Sequence, residues 1–102
     1  MRRATTPTHT FTFPQAVKVN DASEVLITYS QCGNVILEKT LSDLTKNTSK
    51  NAFTLILTQK EANLFTPGKA LIQLRAKMKD GAALVSQMIW LTIKPALDSK
   101  EL

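Results

Sequence analysis

Residues 53–93, FTLILTQKEANLFTPGKALIQLRAKMKDGAALVSQMIWLTI, decide the fold. Phe53, Leu55 and Leu57 form an apolar run with Thr54 and Ile56 between them, which predicts a strand. Thr58-Gln59-Lys60-Glu61 is a capping-box pattern: the threonine oxygen accepts from the Glu61 amide and the Glu61 carboxylate from the Thr58 amide. One helical turn over Gln59–Phe65 is expected, stopped by Pro67-Gly68, where glycine supplies a positive φ. Beyond it Ala70, Ile72, Leu74, Ala76 and Met78 alternate with Lys69, Gln73, Arg75, Lys77 and Lys79, Leu71 alone breaking the polar set. That period of two marks an antiparallel strand with one wet face. Asp80-Gly81 predicts a hairpin, and Leu84–Ile93 its second arm.

Upstream, His9–Phe13 predicts a strand, with Phe11 and Phe13 on one side and Thr10 and Thr12 on the other. Pro14 ends it, because proline donates no backbone hydrogen bond. Asn20-Asp21 reads as a turn, and Glu24–Gln31 as a strand with Val25, Ile27 and Tyr29 on its inner face. Gly33-Asn34 then turns the chain into Val35–Leu41, an arm on which Val35, Leu37 and Leu41 share a face with Lys39. Ser42–Asn51 is the longest internal polar stretch and is expected to be a mobile loop, with room for a helical turn started by Ser42. Six to seven mostly antiparallel strands in 102 residues predict an all-β, immunoglobulin-like two-sheet sandwich with one short helical turn near 59–65. The domain organisation is a flexible basic arm (1–8), one domain (9–95) and a polar tail (96–102).

The formal net charge is +5, from thirteen basic and eight acidic residues. No run of like charge reaches the length of a nucleic-acid tail. Lys69, Arg75, Lys77 and Lys79 form a basic face that guards an edge or meets solvent. No aromatic is interleaved with these cations along their own strand, so the pattern of RNA-binding sheets is absent from it. No apolar run reaches the roughly 20 residues needed to span a bilayer. The N-terminus lacks the apolar segment of a secretory signal. Asn47-Thr48-Ser49 matches a glycosylation acceptor and is read as a polar loop.

Chemistry-bearing constellations are few. Cys32 is the only cysteine and His9 the only histidine. A thiol nucleophile needs a base within reach, and nothing in the spacing brings these two together, so a structural thiol and a surface imidazole are expected. Asp21, Asp43 and Asp80 occupy turn positions and Glu61 serves a cap. The three glycines sit in turns, which leaves no phosphate-binding loop. A single cysteine gives no zinc spacing. No catalytic, cofactor-binding or metal-binding residue is assigned, and no small-molecule substrate or membrane is expected.

The last strand is apolar on both faces near its end: Met88 and Trp90 on one, Ile89, Leu91 and Ile93 on the other. A two-layer sandwich covers one face of each sheet, so whichever set points away is a contact surface. Trp90, the only tryptophan, is read first as the large residue of the core, although Trp and Met are enriched at interfaces. Self-association or a stable partner through this strand is expected.

Four pieces resemble a segment of small structural proteins of phages and prophages of Gram-positive bacteria: Leu57-Thr58-Gln59, Phe65-Thr66-Pro67-Gly68, Ile72-Gln73-Leu74-Arg75 and Asp80-Gly81. The early HTFTFP followed by a hairpin is similar too. Over most of residues 9–95 the chain is similar to the N-terminal immunoglobulin-like module of phage baseplate and tail proteins that attach receptor-binding parts. The resemblance implies a non-enzymatic virion structural protein, without metal or cofactor, whose partners are other phage proteins or its own copies. Its place is the bacterial cytoplasm, or the virion once assembled. The competing expectation is a phage-encoded nucleic-acid-binding accessory protein using the basic strand face and N-terminal arm.

Overall fold

The alternation that begins at Ala70 becomes a single strand in which Ala70, Ile72, Leu74, Ala76 and Met78 are all buried while Lys69, Arg75 and Lys77 are exposed. A helix would have scattered these residues around its circumference. The computed structural model describes residues 1, 5–79 and 84–95. Strands are β1 (Thr8–Thr12), β2 (Ala22–Gln31), β3 (Asn34–Thr40), β4 (Thr45–Asn47), β5 (Ala52–Ile56), β6 (Gly68–Met78) and β7 (Leu84–Ile93); one short helix, α1, spans Gln59–Ala62. They form an antiparallel sandwich of two sheets, in the order β1-β5-β4 and β3-β2-β6-β7. That order matches strands B-E-D and C′-C-F-G of an immunoglobulin-like layout. The Asp80-Gly81 turn and the 96–102 tail lie outside the described residues.

The core lies between the sheets. Phe11, Phe13, Phe53, Leu55 and Leu57 come from the β1 and β5 side, and Val25, Ile27, Tyr29, Ile72 and Leu74 from the other. Phe13 and Phe53 meet edge to face at 5.4 Å, the arrangement that aromatic quadrupoles favour. Phe65 closes one end against Tyr29 at 5.7 Å. The chain reaches Phe65 through the expected capping box, closed by the Glu61 amide on Thr58 Oγ1 (3.1 Å) and the Thr58 amide on Glu61 Oε1 (3.0 Å). The α-helical part stops at Ala62, and bonds spanning three residues, from the Leu64 amide to the Glu61 carbonyl and from the Phe65 amide to the Ala62 carbonyl, carry the turn onward. Gln31, buried at the end of β2, ties this turn in place: its Nε2 donates to the Thr66 carbonyl and its Oε1 accepts from the Thr66 amide, both at 2.9 Å.

Three expectations need correction. The β2–β3 turn is centred on Cys32 and Gly33, both with positive φ, one residue earlier than Gly33-Asn34. Val35 does not share a face with Leu37. The register shifts between Tyr29 and Ser30, so Tyr29 faces Leu37 while Ser30 faces Val35, with Ile36 as the extra residue. A bulge of this kind moves a side chain to the opposite face, and Val35 is accordingly exposed. The segment 42–51 is not a structureless loop. A 3₁₀ turn (Leu41–Asp43), capped by Thr40, leads into β4, which pairs with β5. At the N-terminus the Met1 amine donates to the Thr92 carbonyl, and the Leu57 amide donates to the Pro7 carbonyl.

Asn51 anchors that segment. Its backbone is left-handed, at φ 53°. Its Nδ2 donates to the carbonyls of Phe13 (3.2 Å), Pro14 (3.1 Å) and Val17 (2.9 Å), and its Oδ1 accepts from the Val19 amide at 2.9 Å. The Phe13 amide in turn donates to the Asn51 carbonyl. One side chain thus holds the link by which the chain leaves one sheet for the other.

Two stability measurements check this account. Leu74→Ala is expected to lower the unfolding free energy by about 2–5 kcal/mol, and Arg75→Ala by less than about 0.5 kcal/mol, in chemical denaturation. Asn51→Ala is expected to cost about 2–4 kcal/mol, from lost hydrogen bonds and a left-handed backbone. Asn51→Gly removes the backbone part and costs less.

Candidate functional site

Two places bring chemistry-bearing side chains together. The first is at the end of the sandwich near α1. His9 on β1 places Nδ1 2.6 Å from the Tyr29 hydroxyl. Burial first, and then the positive charge of the Met1 amine, hold the imidazole pKa below its ordinary value. Burial, followed by the nearby Glu61 carboxylate, pushes the Tyr29 hydroxyl pKa upward. The neutral imidazole and the un-ionised hydroxyl share one hydrogen bond, whose direction follows from the ring tautomer. Partial burial works against ionisation of Glu61, but the Lys39 ammonium and the Thr58 bonds outweigh it and hold the carboxyl below its usual range. Lys39 and Glu61 form an ion pair.

Perturbed groups often mark active sites, but here each has a structural task. Tyr29 is fully buried, and Glu61 is spent on the cap and the ion pair. His9 is half-buried rather than the expected surface imidazole, and its hydrogen-bond partner is Tyr29. Cys32 stands exposed in the β2–β3 turn. Among the described residues, no group of three or more His, Cys, Asp or Glu side chains is placed to hold a metal ion. No helix among them is long and apolar enough to cross a membrane.

The second place is the outer face of the four-stranded sheet. Register lays it out in rows. Val35, Ser30, Leu71 and Trp90 make one; Glu38, Thr28, Gln73 and Met88 the next; Thr40, Leu26, Arg75 and Ser86 a third. The first row is an apolar band interrupted only by a serine. Trp90 and Met88 are 69% and 63% exposed, far more than large apolar side chains in a core. Lower on the face, Leu26, Leu41, Arg75 and Lys77 line an open depression of about 640 Å³.

The structure thus divides the expected contact residues. Trp90 is not in the core: with Met88 it belongs to the outward set. Ile93, opposite Gly68, is 2% exposed and is closed to contact, while Leu91 is half-buried and packs against the core. Ile89 points inward but keeps 39% exposure because β7 is a sheet edge. Lys69, Arg75, Lys77 and Lys79 are exposed, and Lys79 lies one residue beyond β6. The basic face does acquire an aromatic, because the neighbouring strand sets Trp90 directly opposite Leu71. Sequence reasoning had followed one strand at a time and missed this. It also missed Val35 and Leu71 as companions of Trp90, since their sharing a row depends on the bulge.

Comparison with known proteins finds no matching family model, no matching curated protein and no matching solved structure.

The His9–Tyr29 pair sets a pH dependence. The folded pKa of His9 lies below the unfolded value of about 6.5, so the unfolded chain binds more protons as the pH falls. The His9 contribution to stability is complete above about pH 6.5 and is lost as the pH drops toward the folded pKa. The melting temperature is expected to fall by roughly 2–5 °C between pH 7 and pH 5, with partial exposure of the ring keeping the effect small. His9→Gln, followed by circular dichroism over the same range, is expected to flatten that slope.

Proposed function

We propose that this chain is a non-enzymatic prophage structural or assembly protein of tail or baseplate type, acting through protein–protein contacts. The observation that carries the reading is the exposure of Trp90 and Met88 side by side on an otherwise orderly sheet face. Exposed aromatic and Met side chains of this kind, on an uncharged edge strand beside the cations of its neighbour, have the composition of a contact surface. The sequence resemblance to baseplate modules supports the same reading. So does the account of the perturbed titratable groups, each of which has a task in holding the fold. The protein resides in the bacterial cytoplasm until it enters a particle.

A specific observation favours a second reading. Trp90 shares its face with Lys69, Arg75 and Lys77, and an exposed aromatic among cations can stack a nucleotide base while the cations meet phosphate. One aromatic gives one stacking position, and Glu24 and Glu38 stand on the same sheet, so the assembly reading is preferred.

Purified particles released by inducing the source strain are expected to contain the chain in fixed proportion to other virion proteins, and Trp90→Lys to reduce its incorporation. Particles free of the chain would count against the reading. In fluorescence anisotropy, labelled single-stranded oligonucleotides are expected to bind more weakly than micromolar at roughly 0.2 M salt, because few phosphates are contacted. A tighter complex under that condition promotes the second reading.

A further inference from the structure

We infer that the edge of β7 is a pairing site for a second copy of β7, joining two sandwiches through one continuous eight-stranded sheet. This deepens the assembly reading, on which it rests, by naming the partner and the register.

Sheet edges are normally guarded by charge, proline, bulges or shortness. β3 carries Glu38 and Lys39 and contains the bulge; β4 is three residues long and carries Lys46. β1 has five residues, and Gln87 Nε2 already donates to its Thr12 carbonyl at 2.8 Å. β7 has ten residues, LVSQMIWLTI, without a charge or a proline, and its register with β6 runs unbroken from Gly68–Ile93 to Lys77–Leu84. It is the long, uncharged, bulge-free edge that the other strands avoid presenting.

The open part of this edge is defined by what already occupies the rest. The Met1 amine donates to the Thr92 carbonyl, and the Lys94 amide donates to the Met1 carbonyl, both at 2.7 Å. Met1 therefore sits beside β7 as the beginning of an added strand would. Backbone groups of alternate residues point to the same side. The amides and carbonyls of Ser86, Met88 and Trp90 accordingly point outward, as those of Thr92 and Lys94 do. Among the described residues, no bond is made to the outward backbone groups of Ser86, Met88 and Trp90, and Met88 is the midpoint of that stretch.

A two-fold axis at Met88 satisfies it. In an antiparallel pairing Met88 faces Met88 of the second copy, and each Trp90 faces the other copy's Ser86. Each pair exchanges two backbone hydrogen bonds in the narrow-pair pattern. On the outer face two indoles and two thioethers gather, each Trp90 beside a small serine that leaves it room. On the inner face Ile89 meets Gln87 of the other copy, which covers its remaining exposure. A charged strand would place unpaired charge against this neutral edge. The long uncharged edge strand that the structure itself supplies is another β7, and an isologous interface requires that self-complementarity.

The net charge gives the pairing a diagnostic sign. Two chains of +5 repel each other, so salt that screens them strengthens self-pairing, whereas it weakens binding to nucleic acid or an acidic partner.

The test is sedimentation velocity on the full chain across a concentration series at low salt and at roughly 0.5 M salt, with hydrogen exchange read at the Met88 and Trp90 amides. The expected result is a monomer–dimer equilibrium in the micromolar range that tightens with salt, with both amides protected as the dimer forms. Met88→Lys sets two ammonium groups opposite each other and is expected to weaken the dimer at least about tenfold. Ser86→Pro deletes an edge amide without touching the bonds to β6 and is expected to do the same, with an unchanged circular dichroism spectrum. Ile56→Lys, on the other sheet, is expected to leave the dimer intact. A monomer at all concentrations overturns the inference, as does a dimer whose edge amides still exchange freely or that survives both β7 substitutions. Failure of the functional reading looks different: the dimer forms as described, yet the chain is missing from particles.

Discussion

Asn51 is the constraint on which the two-sheet arrangement turns. It stands just before β5 with a left-handed backbone, and its side-chain amide reaches three carbonyls and an amide in the link between β1 and β2. Chain connections between sheets carry backbone groups that neither sheet can pair, and leaving them unpaired on burial is costly. Here one side chain satisfies that link and fixes where β2 begins. Because β2 is bonded to both β3 and β6, its position propagates through the whole four-stranded sheet. Asn tolerates positive φ better than most residues with a Cβ and carries both donors and an acceptor, so backbone and side-chain needs converge on one residue type.

Most of the sandwich was legible where a local pattern and a long-range demand coincide. The β6 alternation fixed inside and outside because one face had to be buried. Thr58 and Glu61 form their cap because both groups lie within the same turn. The features that could not be read are those that depend on pairing. The bulge opposite Tyr29 has no sequence mark beyond the awkward placement of Lys39 among apolar residues. It reassigns Val35 from the inner face to the outer one. The polarity of segment 42–51 predicts a mobile loop. Polarity reports only that the segment meets water; Thr45–Asn47 pair with β5 and Asn51 is bonded through its side chain. The sequence likewise predicts a surface imidazole at His9, since nothing in it reveals that β1 brings His9 to Tyr29.

The candidate site was half legible for a related reason. A strand apolar on both faces announces that some of its residues find no place in a small core, and β7 does leave Met88 and Trp90 outside. Which set is left over depends on how β7 lies against β6. Ile93 is paired with Gly68, whose missing side chain gives it little cover from the neighbouring strand, and yet Ile93 is buried. Its cover therefore comes from the core cluster in which it packs. Tryptophan's size makes it a natural core residue, but here four phenylalanines and Tyr29 supply the large aromatic volume: Phe11, Phe13, Phe53 and Phe65 are all buried. The core is filled without Trp90, and that makes its exposure a feature of the surface rather than a packing failure.

Charge placement gives the assembly reading its physical consistency. Lys69, Arg75 and Lys77 lie one strand inward from β7, on its paired neighbour, while β7 itself is uncharged. Cations on β6 cannot guard an edge that β7 occupies, so their first expected role as edge guards does not hold in this topology. What they do is keep the broad outer face hydrated around the apolar row, which disfavours stacking of one sheet face on another without obstructing approach along the edge. On the proposed reading, a surface that repels at its centre and is neutral at its rim directs association sideways. Direction of this kind is what distinguishes a strand that builds an ordered contact from an apolar patch that aggregates.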